Sequence, residues 1–157
     1  MTTSLSPGEE MVEIRQLLAI YNLNGDRLRL DELAGTFALD GVLETPTATY
    51  QGRDQIRAGL GSGRARPAAP IAHTFTRHHL TTSGLQVTAP DRAAGRTYFQ
   101  VFTDIGLDHL GFYDDDLIRE AGAWRFARRR VRLDWVSDQT LMPALLAAHR
   151  ARREARS

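Results

Sequence analysis

Proton-transfer chemistry in this chain rests on a narrow set of side chains. The sequence has 157 residues, with 19 carboxylic acids, five histidines and four tyrosines. It has no cysteine, and all 20 of its basic residues are arginine. Thiol nucleophiles, disulfides and cysteine-based zinc or iron–sulfur sites are thereby excluded. So are Schiff-base chemistry and the phosphate-loop lysine, because arginine stays protonated and is a poor nucleophile. What remains is acid–base chemistry by Asp, Glu, His and Tyr, helped by Ser, Thr and Arg.

Several positions stand out. Asp26 follows a helical stretch on the turn Asn24-Gly25-Asp26. It reads either as a helix cap or solvated carboxylate, or as an acid–base group if it is buried beside a cation. His78 and His79 are adjacent, and adjacent strand residues face opposite sides, so one of the two can face a core. Neighbouring strand histidines cannot chelate one ion together, and no third ligand lies at a recognisable spacing, so no metal is expected. Tyr21, Tyr98 and Tyr113 carry hydroxyls that could donate to a substrate carbonyl or serve the core. In the acidic run Asp114-Asp115-Asp116, period two places Asp115 on the same side as Tyr113. That makes Asp115 a candidate second carboxylate for an epoxide-opening or cyclising reaction, with Arg96 as an available cation.

These groups must be positioned by the elements around them. Ser6-Pro7-Gly8-Glu9 reads as a capped helix start, and Met11, Ile14, Leu17, Leu18 and Tyr21 recur at helical spacing. Asn24-Gly25-Asp26 interrupts that pattern. A second short helix is expected with Leu30, Leu33, Ala34 and Phe37 on one face, stopping near Asp40-Gly41. A short strand follows from Val42 to Thr45, ended by Pro46. Asp54 is expected to cap a third short helix, and Gly61 to Pro70 reads as a loop. Beyond residue 73 the period becomes two, giving strands near 75–89, 94–104, 109–119 and 123–135 joined as antiparallel hairpins. The last run changes parity between Phe126 and Val131, which calls for a bulge near Arg128 to Arg130. A helix with Leu141, Met142, Leu145 and Leu146 closes the chain.

Helices first and antiparallel strands afterwards indicate an α+β domain: a cone-shaped, strongly curved sheet wrapped around three amino-terminal helices, with a carboxy-terminal helix. Such a sheet leaves an apolar space suited to a small molecule. The expectation is one domain over residues 1–157, with its core at about 9–136 and a helix and tail at 137–157. Charges nearly balance, at 20 basic against 19 acidic residues, which gives no bulk attraction for nucleic acid or an anionic membrane. The amino terminus has no charged start followed by an apolar block, so a cytoplasmic location is expected.

The order of several local patterns resembles the SnoaL-like, nuclear-transport-factor-2-like superfamily. Those patterns are Tyr21 followed by Asp26, Leu33 to Phe37 with Asp40-Gly41-Val42-Leu43, and Gly52-Arg53-Asp54-Gln55-Ile56. Arg77-His78-His79-Leu80-Thr81, Gly111-Phe112-Tyr113-Asp114-Asp115 and Gly122-Ala123-Trp124-Arg125-Phe126 continue the series. The resemblance implies an enclosed site in which an aspartate at the position of Asp26 pairs with a sheet histidine, matched here by His78, with His79 as the alternative. It implies a cofactor-independent dehydratase, isomerase or cyclase acting on a hydrophobic, polyketide-like or aromatic metabolite, or a non-catalytic binding or assembly module. Tyr21 matches the oxyanion-donating tyrosine of ketosteroid-isomerase-like members. Thr45 stands where those members carry their base, which argues against steroid-isomerase chemistry. Thr45, Tyr98, Tyr113, Asp115 and Met142 are expected to line the substrate site with Tyr21, and the last helix to close its mouth. The resemblance also implies a homodimer through the outer sheet face, with the arginines near 128–132 pairing between subunits.

Overall fold

The computed structural model describes residues 6–62 and 72–155. Helix α1 (Pro7–Asp26) starts on the expected capping box. The Ser6 hydroxyl accepts the Glu9 amide, and the Glu9 carboxylate accepts the Ser6 amide at 2.7 Å. Its apolar stripe of Ile14, Leu17, Leu18 and Tyr21 is buried. Its first turn is fastened to the sheet by Glu10, which accepts from Arg119 and from the Trp124 indole.

The helix does not break at Asn24-Gly25 but runs on to Asp26. It ends in a Schellman motif, with the Arg29 amide bonding to the Asn24 carbonyl and the Leu28 amide to the Gly25 carbonyl. The left-handed residue there is Leu28, at φ 63°. The expected glycine stop is absent from that position, so the turn chemistry misled the sequence reading.

Helix α2 (Leu30–Ala34) is shorter than expected, and Phe37 opens strand β1 (Phe37–Glu44) instead of closing a helix face. The Phe37 ring is fully buried against Tyr21 and Phe126. That aromatic packing overrides the helical spacing. Asp40-Gly41 lies inside the strand, and a Cβ on Gly41 would sit 2.7 Å from the Phe126 carbonyl oxygen, so the close approach of β1 to its neighbour requires glycine. Strand β2 (Thr49–Gln51) turns back along β1, and α3 (Arg53–Ser62) follows Gly52 at φ 79°. Asp54, the expected cap, lies instead within the first turn of α3, two residues beyond the capping position at Gly52. Of the expected loop from Gly61 to Pro70, Gly61 and Ser62 belong to α3, and positions 63–70 lie outside the described residues.

Four long strands then follow as predicted: β3 (Arg77–Ala89), β4 (Arg92–Thr103), β5 (Gly106–Glu120) and β6 (Ala123–Val136). Two-residue turns join them. At Ala121-Gly122 both residues have positive φ, the conformation that matches the twist of a tight hairpin. The sheet order is β2-β1-β6-β5-β4-β3, with β1 parallel to β6 and every other pair antiparallel. The sheet is therefore mixed, not wholly antiparallel as the run of hairpins suggested. The parallel seam joins segments too distant in sequence to be read from local pattern.

Bulges bend the sheet around α1. The parity change in β6 falls at Ala127, because Leu117 pairs with Phe126 and Asp116 with Arg128. This is one residue before the expected place. It carries Trp124 and Phe126 to the core on one side of the bulge and Arg129 on the other. A second irregularity at Asp134 turns Trp135 out, and it is 42% exposed. Helix α4 (Pro143–Glu154) packs along β6 and buries no residue fully. None of the described helices is long and apolar enough to cross a membrane.

Candidate active site

Asp26 occupies the last turn of α1, and the Schellman turn aims its carboxylate at the start of β3. Both oxygens are used on one residue: Oδ1 lies 2.6 Å from His78 Nδ1, and Oδ2 accepts the His78 backbone amide at 3.1 Å. The Asp26 side chain is 7% exposed and that of His78 22%. A carboxylate on Nδ1 selects the tautomer with the proton there and leaves Nε2 as the working nitrogen. Among the described residues Nε2 has no hydrogen-bond partner. The His78 ring lies 6.3 Å from that of Phe99. Of the two candidate histidines, His78 thus faces the concave side. His79 is exposed on the opposite face, edge-on to Phe102.

Deeper in the cone lies a charge that the sequence reading missed. Arg129 is fully buried and meets Asp115, 2% exposed, through two bonds of 2.8 and 2.7 Å. Its guanidinium lies 4.0–4.3 Å from the ring centres of Tyr21, Tyr113 and Phe126, a cage of cation–π contacts. Burial pushes the Asp115 carboxyl up, and Arg129 opposes that rise. The paired in-plane geometry suits a carboxylate, so we read an ion pair. Burial also raises the Tyr21 and Tyr113 hydroxyls, keeping both phenols neutral. The Tyr113 hydroxyl donates to the buried Asn22 amide oxygen at 3.0 Å. The parity of Val131 and Leu133 could have exposed Arg129 as an inward residue, but it stood in a run of three arginines that reads as a surface cluster.

Several expected lining residues stand elsewhere. With both carboxylate oxygens held by Arg129, Asp115 is not placed to activate a water for epoxide opening. Arg96, the cation considered for that mechanism, instead forms a two-bond pair with Asp114 on the outer face. Tyr98 lies on that outer face and is 48% exposed, because its parity opposes that of Phe99 and Val101. The Thr45 hydroxyl closes the β1–β2 turn on Ala48. Met142 caps α4, with its amide on Thr140. That helix is no lid over Asp26, since His149, Arg152 and Arg153 share a surface groove with Phe112, Arg132 and Asp134. The arginine cluster is paired within the chain: Arg128 and Arg132 share Glu44, and Arg130 reaches Asp116. No group of three metal-ligating side chains occurs among the described residues.

The space beside the couple is a cleft of about 280 Å³ between α1 and the outer strands, lined by Arg15, Leu18, Leu80, Thr81, Ser83 and Thr97. It begins two residues along β3 from His78, roughly 7 Å away at strand spacing.

A curved sheet folded over a long helix is the architecture of the nuclear-transport-factor-2-like class. Residues 8–130 match the SnoaL-like domain, and the chain belongs to that family. Among solved structures it is similar to Rv3472, a Mycobacterium tuberculosis protein of unknown function determined as an aspartate-to-asparagine variant. That match has 28% identity and a TM-score of 0.71 and covers 93% of this chain and 94% of that one. It is also similar to a Novosphingobium aromaticivorans NTF2-like protein with a cystatin-like fold, at 27% identity, 88% and 89% coverage and a TM-score of 0.69. A further Novosphingobium aromaticivorans protein, provisionally described as a scytalone dehydratase, matches in fold at 23% identity, 88% and 91% coverage and a TM-score of 0.71. No curated protein matches.

Proposed function

We propose that the protein is a small-molecule lyase, isomerase or cyclase in which Asp26 and His78 act together as the general acid–base couple. The observation that carries this reading is the two-point hold of Asp26 on His78. It fixes the imidazole's tautomer and direction beyond what a surface ion pair needs. The apolar surroundings of Leu18, Leu80 and Phe99 suit a hydrophobic, aromatic or polyketide-like metabolite, and the provisional dehydratase description of one fold neighbour is in keeping with it.

Asp26→Asn and His78→Ala are expected to lower turnover by roughly 10²–10⁴-fold each, the usual worth of positioned proton transfer. The measurement is product formation from a panel of hydroxylated aromatic ketones and polyketide-type substrates, followed by mass spectrometry. Undiminished turnover in both variants sinks the assignment.

A second reading has its own observation. The deep end of the cone is filled by Tyr21, Tyr113, Phe126 and Arg129, which favours a module that holds a ligand in the shallow cleft without transforming it. Saturable binding by the wild type, with no product from any member of the panel, supports that alternative.

A further inference from the structure

The outer face of the sheet carries a cationic groove in which Asp26 and His78 take no part. Tyr98 pairs with Phe112 across β4 and β5, and Phe112 pairs with Arg132 across β5 and β6. Directly opposed residues share a face. The buried residues beside them, Phe99 and Tyr113, point to the opposite side. Tyr98, Phe112 and Arg132 thus stand in one row on the convex side, roughly 10 Å from end to end at two strand spacings. Helix α4 lies along β6. Its His149, Arg152 and Arg153, three and four positions apart, fall on one helix face. They line a groove of about 230 Å³ with Phe112, Arg132 and Asp134.

The charges in this groove do not balance. Arg150 is taken by Asp138, whereas Arg152 and Arg153 have no ion-pair partner among the described residues. Arg132 is fixed in place by Glu44 at 3.1 Å and by the Val131 carbonyl at 3.3 Å. Glu44 is shared with Arg128, so it offsets Arg132 only in part. Three guanidiniums therefore border one groove against a single lining carboxylate, Asp134. Opposed like charges repel, and an anion set between them removes that cost. The dipole of α4 favours cations in its last turn, but it does not require them to face Arg132. Guanidinium forks match phosphate oxygens in two-bond pairs. Beside the groove, sharing Phe112 and Asp134 with it, lies a hollow of about 380 Å³ lined also by Tyr98, Gln100 and Leu110. Arg96, whose guanidinium is 4.1 Å from the Phe112 ring centre, walls that hollow. Its volume falls in the range of small-molecule sites.

We propose that the convex face binds a phosphate monoester of a ring compound. The phosphate lies between Arg132, Arg152 and Arg153 with the His149 imidazole as a further donor, and the ring lies in the hollow over Tyr98 and Phe112. The site is on the other side of the sheet from Asp26 and His78, so it stands or falls independently of the acid–base couple.

The test titrates the full chain, labelled with ¹⁵N at histidine, with phenyl phosphate at constant ionic strength. The His149 imidazole resonances are expected to shift along one saturable curve while those of His78 stay in place. Inorganic phosphate is expected to compete about tenfold more weakly, because it leaves the hollow empty. Arg152→Gln combined with Arg153→Gln, both exposed positions, is expected to weaken phenyl phosphate binding about tenfold or more with the thermal midpoint unchanged. Tyr98→Ala is expected to weaken phenyl phosphate and leave inorganic phosphate unaffected. Full affinity in the folded double variant, or equal affinity for the two phosphates, overturns the proposal. A shift at His78 in place of His149 puts the ligand in the concave cleft and overturns it too. Capture on heparin or on phosphatidic acid vesicles without saturable binding of phenyl phosphate marks a diffuse cationic patch and does the same.

Discussion

Arg129 holds its charge where water does not reach, and the aromatic cage makes that possible without making it cheap to disturb. Breaking a buried pair from one side strands the other charge. Arg129→Ala is therefore expected to destabilise the fold by about 3–5 kcal/mol, measured by urea unfolding. Replacing both partners at once, Arg129→Met with Asp115→Leu, should recover much of that loss, since an apolar pair of similar volume carries no desolvation penalty. At this scale the sequence was partly legible. Asp26 and the sheet histidines were recognisable by type and order, and Asp115 by parity with Tyr113. Arg129 was hidden because a single inserted residue, Ala127, decides which arginine of three turns inward, and that insertion follows from cross-strand packing.

The carboxy-terminal end of α1 shows how one element serves the site. The left-handed residue that ends the helix also sets where Asp26 points, and a leucine at φ 63° pays for that turn in strain. Leu28→Gly is expected to raise stability by about 1 kcal/mol, the penalty of a left-handed non-glycine residue. Thermal unfolding checks it, and an unchanged or lower midpoint would show that the Leu28 side chain compensates its own backbone. The hairpins were readable because turn residues and period two lie within a few positions of each other. Strand β1 was readable from Val42 onward but not in its first half, because Phe37 reaches helical spacing with Leu33 and Ala34 by coincidence. What decides its state is contact with Phe126, 89 positions away in the chain.

For the molecule as a whole, Asp108 is a fastening point. It joins β4, the start of β5 and the Ser137–Leu141 segment that leads to α4. Burial works against its charge, but the bonds from His109, Thr140 and Leu141 prevail and bring its pKa down to about 2. A folded-state pKa below the unfolded value stabilises above the unfolded pKa near 3.8, and that contribution disappears as pH falls from about 4 to about 2. The gap is worth about 2 kcal/mol at neutral pH. Asp115, raised by burial, acts in the opposite sense. The measurement is accordingly the difference in urea stability between wild type and Asp108→Asn at each pH. That difference should shrink by about 2 kcal/mol between pH 6 and pH 2, and a constant gap would remove Asp108 as the acid-labile tie.

Among the described residues strand β3 ends the sheet, with no neighbour beyond it. A terminal strand offers bare amides on which a foreign strand can grow, and one of those amides belongs to His78. Asp26 occupies it. The carboxylate that aims the imidazole through Oδ1 thus also blocks unwanted strand addition at that point through Oδ2.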